Sequence, residues 1–186
     1  MKARGMRRLA RRGAVLVSVG LLAAAGLAGT PMADQTEFPA FIPMANTPSG
    51  VTVDKPGNVY VSVREGVRGV IWKYAPDGTA SWFKDIGEAT IYGLAATPNG
   101  DVYAAMAAPG SDRGIYRVDR KGNVERLPGT AQIILANGLA FDDRGNLYVT
   151  ESFSGSPASP GEGGIWRIPP GGAAGLWLLH SFINDL

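Results

Sequence analysis

The stretch Gly138-Leu-Ala-Phe-Asp-Asp-Arg-Gly-Asn-Leu-Tyr-Val149 decides the fold of this chain, because two further versions of it precede it. They are Gly93-Leu-Ala-Ala-Thr-Pro-Asn-Gly-Asp-Val-Tyr-Ala104 and Gly50-Val-Thr-Val-Asp-Lys-Pro-Gly-Asn-Val-Tyr-Val61. The first glycines of the three copies, which we call the repeat glycines, are 43 and then 45 residues apart. This period is typical of four-stranded β-blades and not of helical solenoids. The sequence therefore predicts an all-β protein, a β-propeller of four-stranded antiparallel blades.

The number of repeats predicts an incomplete ring. Residues 47–186 divide into three blades, at about 47–88, 89–132 and 133–186. Propellers close with about four to eight blades, so we expect half of a six-bladed ring. Because an open ring leaves two blade faces unburied, we expect half-rings to self-associate. Another hypothesis is that the chain is a truncated fragment without activity of its own.

The connections between the second and third strands differ in length from blade to blade. Tyr60 and Gly69 are 9 positions apart in the first blade, whereas Tyr148 and Gly164 are 16 apart in the third. We call the face of the propeller with these connections the long-loop face. Variable loops on a rigid scaffold often bind ligands, so we expect a small molecule or a protein partner there. The Gly/Ser/Pro-rich insert at 152–163 is equally consistent with a solvated loop.

The amino terminus has the pattern of a secretory signal. Lys2 and five arginines, with no acidic residue, occupy the first thirteen positions, and an apolar run from Ala14 to Gly29 follows. This pattern predicts a signal peptide with its mature border in residues 1–33, and an N-terminal extension at 34–46. The run is shorter than the roughly 20 residues that cross a bilayer, so no stable membrane span is expected. We expect a secreted or periplasmic protein, exported by the Sec or the twin-arginine route.

Charge and composition exclude several functions. Removal of the signal segment takes six of the 18 basic residues and none of the 16 acidic ones, which leaves a net charge of about −4. No basic patch remains to support nucleic-acid binding. The chain has no cysteine, which excludes disulfides and thiolate metal sites. Its one histidine, His180, excludes zinc sites built on several histidines.

Three residues at equivalent positions are candidates for a site. Ser49, Tyr92 and Asn137 each precede a repeat glycine, and they open the innermost strand of each blade on the long-loop face. We call them the mouth residues, because they would ring the mouth of the central channel. Oxygen-bearing side chains in this arrangement suit a divalent cation such as Ca²⁺. In the alternative interpretation, Asn137 caps a turn and Tyr92 packs.

Carboxylates near the ends of second strands are further candidates. Glu151 ends the second strand of the third blade, and Glu65 lies near the corresponding place in the first. A carboxylate there could act as a general base or a metal ligand, although strand-end charges are often only solvated. By contrast, Asp54 and Asp142 belong to turns on the opposite face, where aspartate bonds its own backbone.

The repeats resemble a known family. The segments NGLAFDDRGNLYVTES at 137–152 and PSGVTVDKPGNVYVS at 48–62, with GIYRVDRKGN at 114–123 and GIWRIPPGG at 164–172, resemble the gluconolactonase and regucalcin (senescence marker protein) family. That family has six-bladed propellers. Streptogramin-lyase-like and NHL-type repeat propellers share the same type of signature.

The resemblance implies a metal-dependent hydrolase of sugar lactones in the complete ring. In that family a divalent cation at the channel mouth is held by a glutamate from an early blade, by asparagines, and by an aspartate from a later blade; the cation polarises the lactone carbonyl and activates water. Asn137 matches one of the asparagines, whereas Pro48 and Ser49 stand where the early glutamate is expected. A non-catalytic propeller that binds a ligand or protein is therefore the alternative function.

Overall fold

The computed structural model describes residues 46–108, 110–152 and 162–181. The predicted signal segment, nearly all of the N-terminal extension and most of the long insert in the third blade lie outside the described residues. All described residues belong to one compact unit.

Blade 1 is a four-stranded antiparallel sheet with its strands in chain order. The strands are β1 (Pro48–Val53), β2 (Val59–Glu65), β3 (Arg68–Tyr74) and β4 (Ala80–Glu88). They are rich in β-branched and aromatic residues, which favour the pleated, half-buried environment of a sheet.

Blade 2 repeats this order and is followed by a short 3-10 helix, Thr130–Gln132. Its strands are β5 (Thr90–Ala96), β6 (Val102–Ala107), β7 (Gly114–Val118) and β8 (Val124–Arg126).

Blade 3 has the same topology as the first two. Its strands are β9 (Ala136–Phe141), β10 (Leu147–Glu151), β11 (Glu162–Ile168) and β12 (Gly175–Ser181). The described residues thus form three four-stranded antiparallel sheets, which confirms the predicted fold class.

The turn between the first and second strands is built by an aspartate and an asparagine. The Asp54 carboxylate accepts hydrogen bonds from the Asn58 backbone N–H and from Asn58 Nδ2, both at 2.8 Å. Asp142 and Asn146 form the same pair of bonds in blade 3. The bond from the Asn146 side chain, assisted by backbone donors, holds the pKa of Asp142 below its usual value. These aspartates therefore fix turns on the face opposite the long loops.

The repeat glycines let neighbouring blades approach closely. A Cβ on Gly93 would lie 2.0 Å from the carbonyl oxygen of Asn137, and one on Gly50 would lie 3.0 Å from that of Tyr92. At both places a residue without a side chain is needed because backbone meets backbone. The first strands β1, β5 and β9 are accordingly the inner strands of the propeller.

Along a strand, alternate side chains lie on opposite sides of the blade, so one set packs on the next blade and the other on the previous blade. We call the side of a blade that meets the next blade its forward face, and the side that meets the previous blade its backward face. Tyr60 lies on a forward face and packs with Leu94 of blade 2, while Val149 lies on a backward face and packs with Ile115. The buried cluster between blades 1 and 2 contains Tyr60, Ile71, Ile91, Leu94, Val102, Ala104 and Val118. That between blades 2 and 3 contains Ala95, Ala105, Ile115, Ile133, Ala136, Leu147, Val149 and Ile168.

Candidate functional site

The mouth residues lie at one edge of the propeller, because inner strands begin where second strands end. The register pairs Pro48 with Val63 in blade 1 and Thr90 with Ala107 in blade 2. In blade 3 the inner strand begins opposite Glu151. The connections between second and third strands leave from this same edge, as the sequence predicted for the long-loop face.

The mouth residues are polar and uncharged. Ser49 is exposed, Tyr92 is 39% exposed and Asn137 is half-buried. The Asn137 side-chain Nδ2 donates to Ser152 Oγ at 3.0 Å, which joins the start of β9 to the end of β10. A hydroxyl, a phenol and an amide offer hydrogen-bond donors and acceptors without a formal charge.

Both carboxylate oxygens of Glu151 accept hydrogen bonds from the protein. Glu151 is 3% exposed. Its Oε1 accepts the backbone N–H of Ile134 at 2.6 Å, and its Oε2 accepts the indole N–H of Trp166 at 2.8 Å. Each carboxylate oxygen therefore already has a protein donor. Glu151 connects β10, β11 and the segment that leads into blade 3.

Glu65 is also engaged by a tryptophan. Its Oε1 accepts the indole N–H of Trp72 at 3.0 Å. Trp72 and Trp166 hold equivalent positions, because they pair with Val61 and Val149 in the register of their blades. These hydrogen bonds were not predicted from the sequence. The aligned tryptophans were the available signal, since a buried indole N–H needs an acceptor.

The described residues do not fit the predicted cation site. Within residues 46–108, 110–152 and 162–181, no group of three or more His, Asp or Glu side chains could hold a metal ion. Asn137 supplies one amide oxygen, whereas Ca²⁺ takes six to eight oxygen ligands. Glu65 and Glu151 each accept a hydrogen bond from a tryptophan indole N–H.

A cleft of about 390 Å³ lies between blades 2 and 3, and Tyr103, Arg117, Glu125 and Phe141 are among the residues that line it. Arg117 donates to Asp101 Oδ2 at 2.7 Å and to Glu125 Oε1 at 2.8 Å. These bonds, led by that to Asp101, raise the pKa of the guanidinium. The cleft thus offers no uncompensated positive charge from Arg117, and it contains none of the mouth residues.

Solved structures with a similar fold are β-propeller proteins. A catalytically inactive virginiamycin B lyase from Staphylococcus aureus with quinupristin has a TM-score of 0.55 and 20% identity, over 75% of this chain and 45% of that one. A streptogramin B lyase has a TM-score of 0.53 and 16% identity, over 77% and 44%. The PQQ-bound aldose sugar dehydrogenase from Streptomyces coelicolor has a TM-score of 0.50 and 24% identity, over 69% and 46%.

These likenesses and the three blades show that the chain has a β-propeller fold. Identities below 25% show the fold alone. The chain spans less than half of the length of each of these structures. No protein-family profile and no curated protein matches the chain. No helix in the described part of the chain is long and apolar enough to cross a membrane.

Proposed function

We propose that the chain belongs to an exported β-propeller that binds a neutral, polyhydroxylated small molecule, of the sugar or sugar-lactone class, at the channel mouth. The observation that supports this is the uncharged set of mouth residues, of which Ser49 and Tyr92 are exposed and Asn137 is half-buried. Hydroxyl, phenol and amide groups match the alternating donors and acceptors of a sugar. The exposed ring of Tyr92 adds apolar area at the same edge, and concave sites combine such surfaces with a few polar groups.

Two further observations favour a sugar-like ligand. The repeats resemble gluconolactonase-like propellers, and one protein with this fold is named an aldose sugar dehydrogenase. The proposal of export is based on the basic and apolar pattern of the first 29 residues. Amino-terminal sequencing of protein recovered outside the cytoplasm tests it, because an export signal predicts a start near residues 29–34.

Calorimetric titration of the chain with D-glucose and with D-gluconolactone tests the binding. We expect Tyr92→Ala and Asn137→Ala each to weaken binding about fivefold, as loss of a hydrogen bond worth about 1 kcal/mol implies. Val124→Ala is the control, because Val124 is an exposed residue of β8 in blade 2, outside the mouth and outside both ends of the array. Wild-type affinity in the Tyr92 and Asn137 variants would contradict the proposed site.

Lactone hydrolysis is the second candidate function. Asn137 is its support, because it stands where the resemblance expects an asparagine ligand. Among the described residues, no group of three or more His, Asp or Glu side chains could hold a cation, and we therefore expect binding without turnover. Proton release from gluconolactone, followed at constant pH with Ca²⁺ and again with EDTA, distinguishes the two functions. If the chain hydrolyses gluconolactone, and if EDTA and Asn137→Ala each abolish this turnover, then lactone hydrolysis is the function and binding without turnover is wrong.

A further inference from the structure

The two ends of the three-blade array display repeat positions that are buried elsewhere in the chain. Val51 of β1 is 65% exposed, whereas its equivalent Leu94 in blade 2 is 6% exposed. Leu94 is buried because it packs on the forward face of blade 1. Val51 stands on the backward face of blade 1, and among the described residues no blade precedes it.

Blade 3 displays the opposite half of the same interface. In blade 1, Tyr60 and Phe83 pack edge to face with ring centroids 5.0 Å apart, and blade 2 buries Tyr60 to 1% exposure. In blade 3, Tyr148 and Trp177 form the same pair at 5.2 Å. Trp177 is nevertheless 58% exposed, and no blade follows it in the described part of the chain.

The strand register gives separate evidence, beside the aromatic contact, that Phe83 and Trp177 hold equivalent positions. The register of β3 with β4 shifts between Ile71 and Trp72, opposite Phe83. The register of β11 with β12 shifts between Ile165 and Trp166, opposite Trp177. The two blades therefore have the same bulge, and both bulged residues reach the forward face.

We propose that a second copy of this chain pairs with the first, head to tail, with the forward face of blade 3 in each copy packed on the backward face of blade 1 in the other. In the described blades, each copy offers one face of each kind, so two identical contacts close the ring. The described blades of two copies number six, within the usual four to eight, whereas those of three copies would number nine. Part of the backward face is already covered by Trp72. The exposed part that remains for the partner is formed by Val51, Val53 and Trp82.

Light scattering coupled to size exclusion tests the pairing on the full chain. We expect a discrete species of twice the 19.5 kDa chain mass. Val51→Glu and Trp177→Glu should each give monomers, because a charge then enters both contacts. Val67→Glu is the control, since Val67 is an exposed valine in the turn between β2 and β3, and it should remain a dimer. Far-UV circular dichroism checks that each variant keeps its β-sheet spectrum.

Mixing the two variants distinguishes head-to-tail pairing from pairing of like faces. In a mixed ring, one contact contains both substitutions and the other contains neither, so dimer should be partly restored. If only one of the two substitutions dissociates the dimer, like faces pair and the proposal is wrong. A wild-type monomer at micromolar concentration, or aggregates without a discrete dimer, would also overturn it.

Discussion

At the scale of single residues, a buried hydroxyl on the second strand binds the repeat glycine of blade 1 and that of blade 3. The Gly50 backbone N–H donates to Ser62 Oγ at 2.8 Å, and Gly138 donates to Thr150 Oγ1 at the same distance. Ser62 and Thr150 are fully buried. A hydroxyl on the second strand therefore satisfies a backbone donor that the close approach of the blades removes from water.

We expect Ser62→Ala to destabilise the protein by about 1–3 kcal/mol, because the buried Gly50 N–H loses its acceptor. The measurement is urea unfolding followed by circular dichroism. Ser62→Thr is the control, since blade 3 uses threonine at this position, and it should retain more of the stability. Equal midpoints for the alanine variant and the wild type would contradict the role of this bond.

Glu151→Gln separates a structural from a ligand-binding role for this carboxylate. An amide presents one acceptor and one donor where Glu151 meets two N–H donors, from Ile134 and Trp166. We expect a loss of about 1–3 kcal/mol in the free energy of unfolding, with sugar affinity unchanged for the folded fraction. Unfolding and titration are measured on the same preparation. Weaker binding at unchanged stability would instead place Glu151 in the ligand site.

Asp142 makes the stability of its turn depend on pH. Its pKa in the folded chain lies below the ordinary aspartate value, mainly because Asn146 donates to the carboxylate. A lowered carboxyl pKa stabilises the fold above the ordinary pKa, and this contribution is lost as pH falls through the folded pKa. We expect Asp142→Asn to be less stable than wild type at pH 7 and to lose less stability below about pH 4.

Urea midpoints at neutral and acid pH measure this difference. Asp143→Asn is the matched control, because Asp143 is the exposed neighbour in the same turn, and its midpoints should follow those of wild type. If the urea midpoint of Asp142→Asn falls with pH as much as that of the wild type, other carboxyl groups dominate acid unfolding.

At the scale of strands and turns, Gly50 and Gly93 are needed because neighbouring backbones pack closely there, and not because of a positive φ. A Cβ on Gly93 would overlap the Asn137 carbonyl at 2.0 Å, whereas one on Gly50 would meet Tyr92 at 3.0 Å. We expect Gly93→Ala to cost about 3 kcal/mol or more, and Gly50→Ala less, because over-packing rises steeply as contacts shorten.

Thermal unfolding of both variants measures the order of these effects. Gly175→Ala is the control, because a Cβ there meets no described atom within 4 Å, and it should change the midpoint little. A Gly93→Ala variant as stable as Gly175→Ala would mean that β5 and β9 can separate without loss.

The strands were predictable because their signals are local. Each repeat has its own turn residues, and an Asp-x-x-Gly-Asn turn follows the first strand in blades 1 and 3, at 54–58 and 142–146, so the sequence predicts the four-stranded blades. The environment of the candidate carboxylates was not predictable, because it depends on partners distant in the chain. Trp72 reaches Glu65 seven residues away, whereas Trp166 reaches Glu151 fifteen residues away. Equivalent tryptophans thus use carboxylates from different repeat positions, which repeat alignment does not show.

At the scale of the whole propeller, the blades share their hydrophobic cores. The cluster between blades 2 and 3 takes Ile115 and Ala105 from one and Leu147 and Val149 from the other. A blade therefore buries much of its apolar surface only against a neighbour. In repeat arrays, stability is the sum of such units and their interfaces, and strong interfaces make the array unfold as one.

We expect Ile115→Ala to lower the free energy of unfolding by about 2–5 kcal/mol, because it removes buried atoms and leaves a cavity. The four tryptophans report on the end blades alone, since Trp72 and Trp82 lie in blade 1, and Trp166 and Trp177 in blade 3. If the three blades unfold together, this substitution in blade 2 shifts both pairs equally. Variants with phenylalanine at one pair separate the two fluorescence signals.

The two fluorescence transitions and circular dichroism should then coincide with and without Ile115→Ala, because coincidence of probes is the test of two-state unfolding. Ile115 packs in the cluster shared with blade 3, and blade 1 reaches it only through blade 2. A shift confined to Trp166 and Trp177 would therefore show that the interface between blades 1 and 2 is too weak to couple them. Blade 1 would then unfold separately, and cooperative unfolding of the array would be wrong.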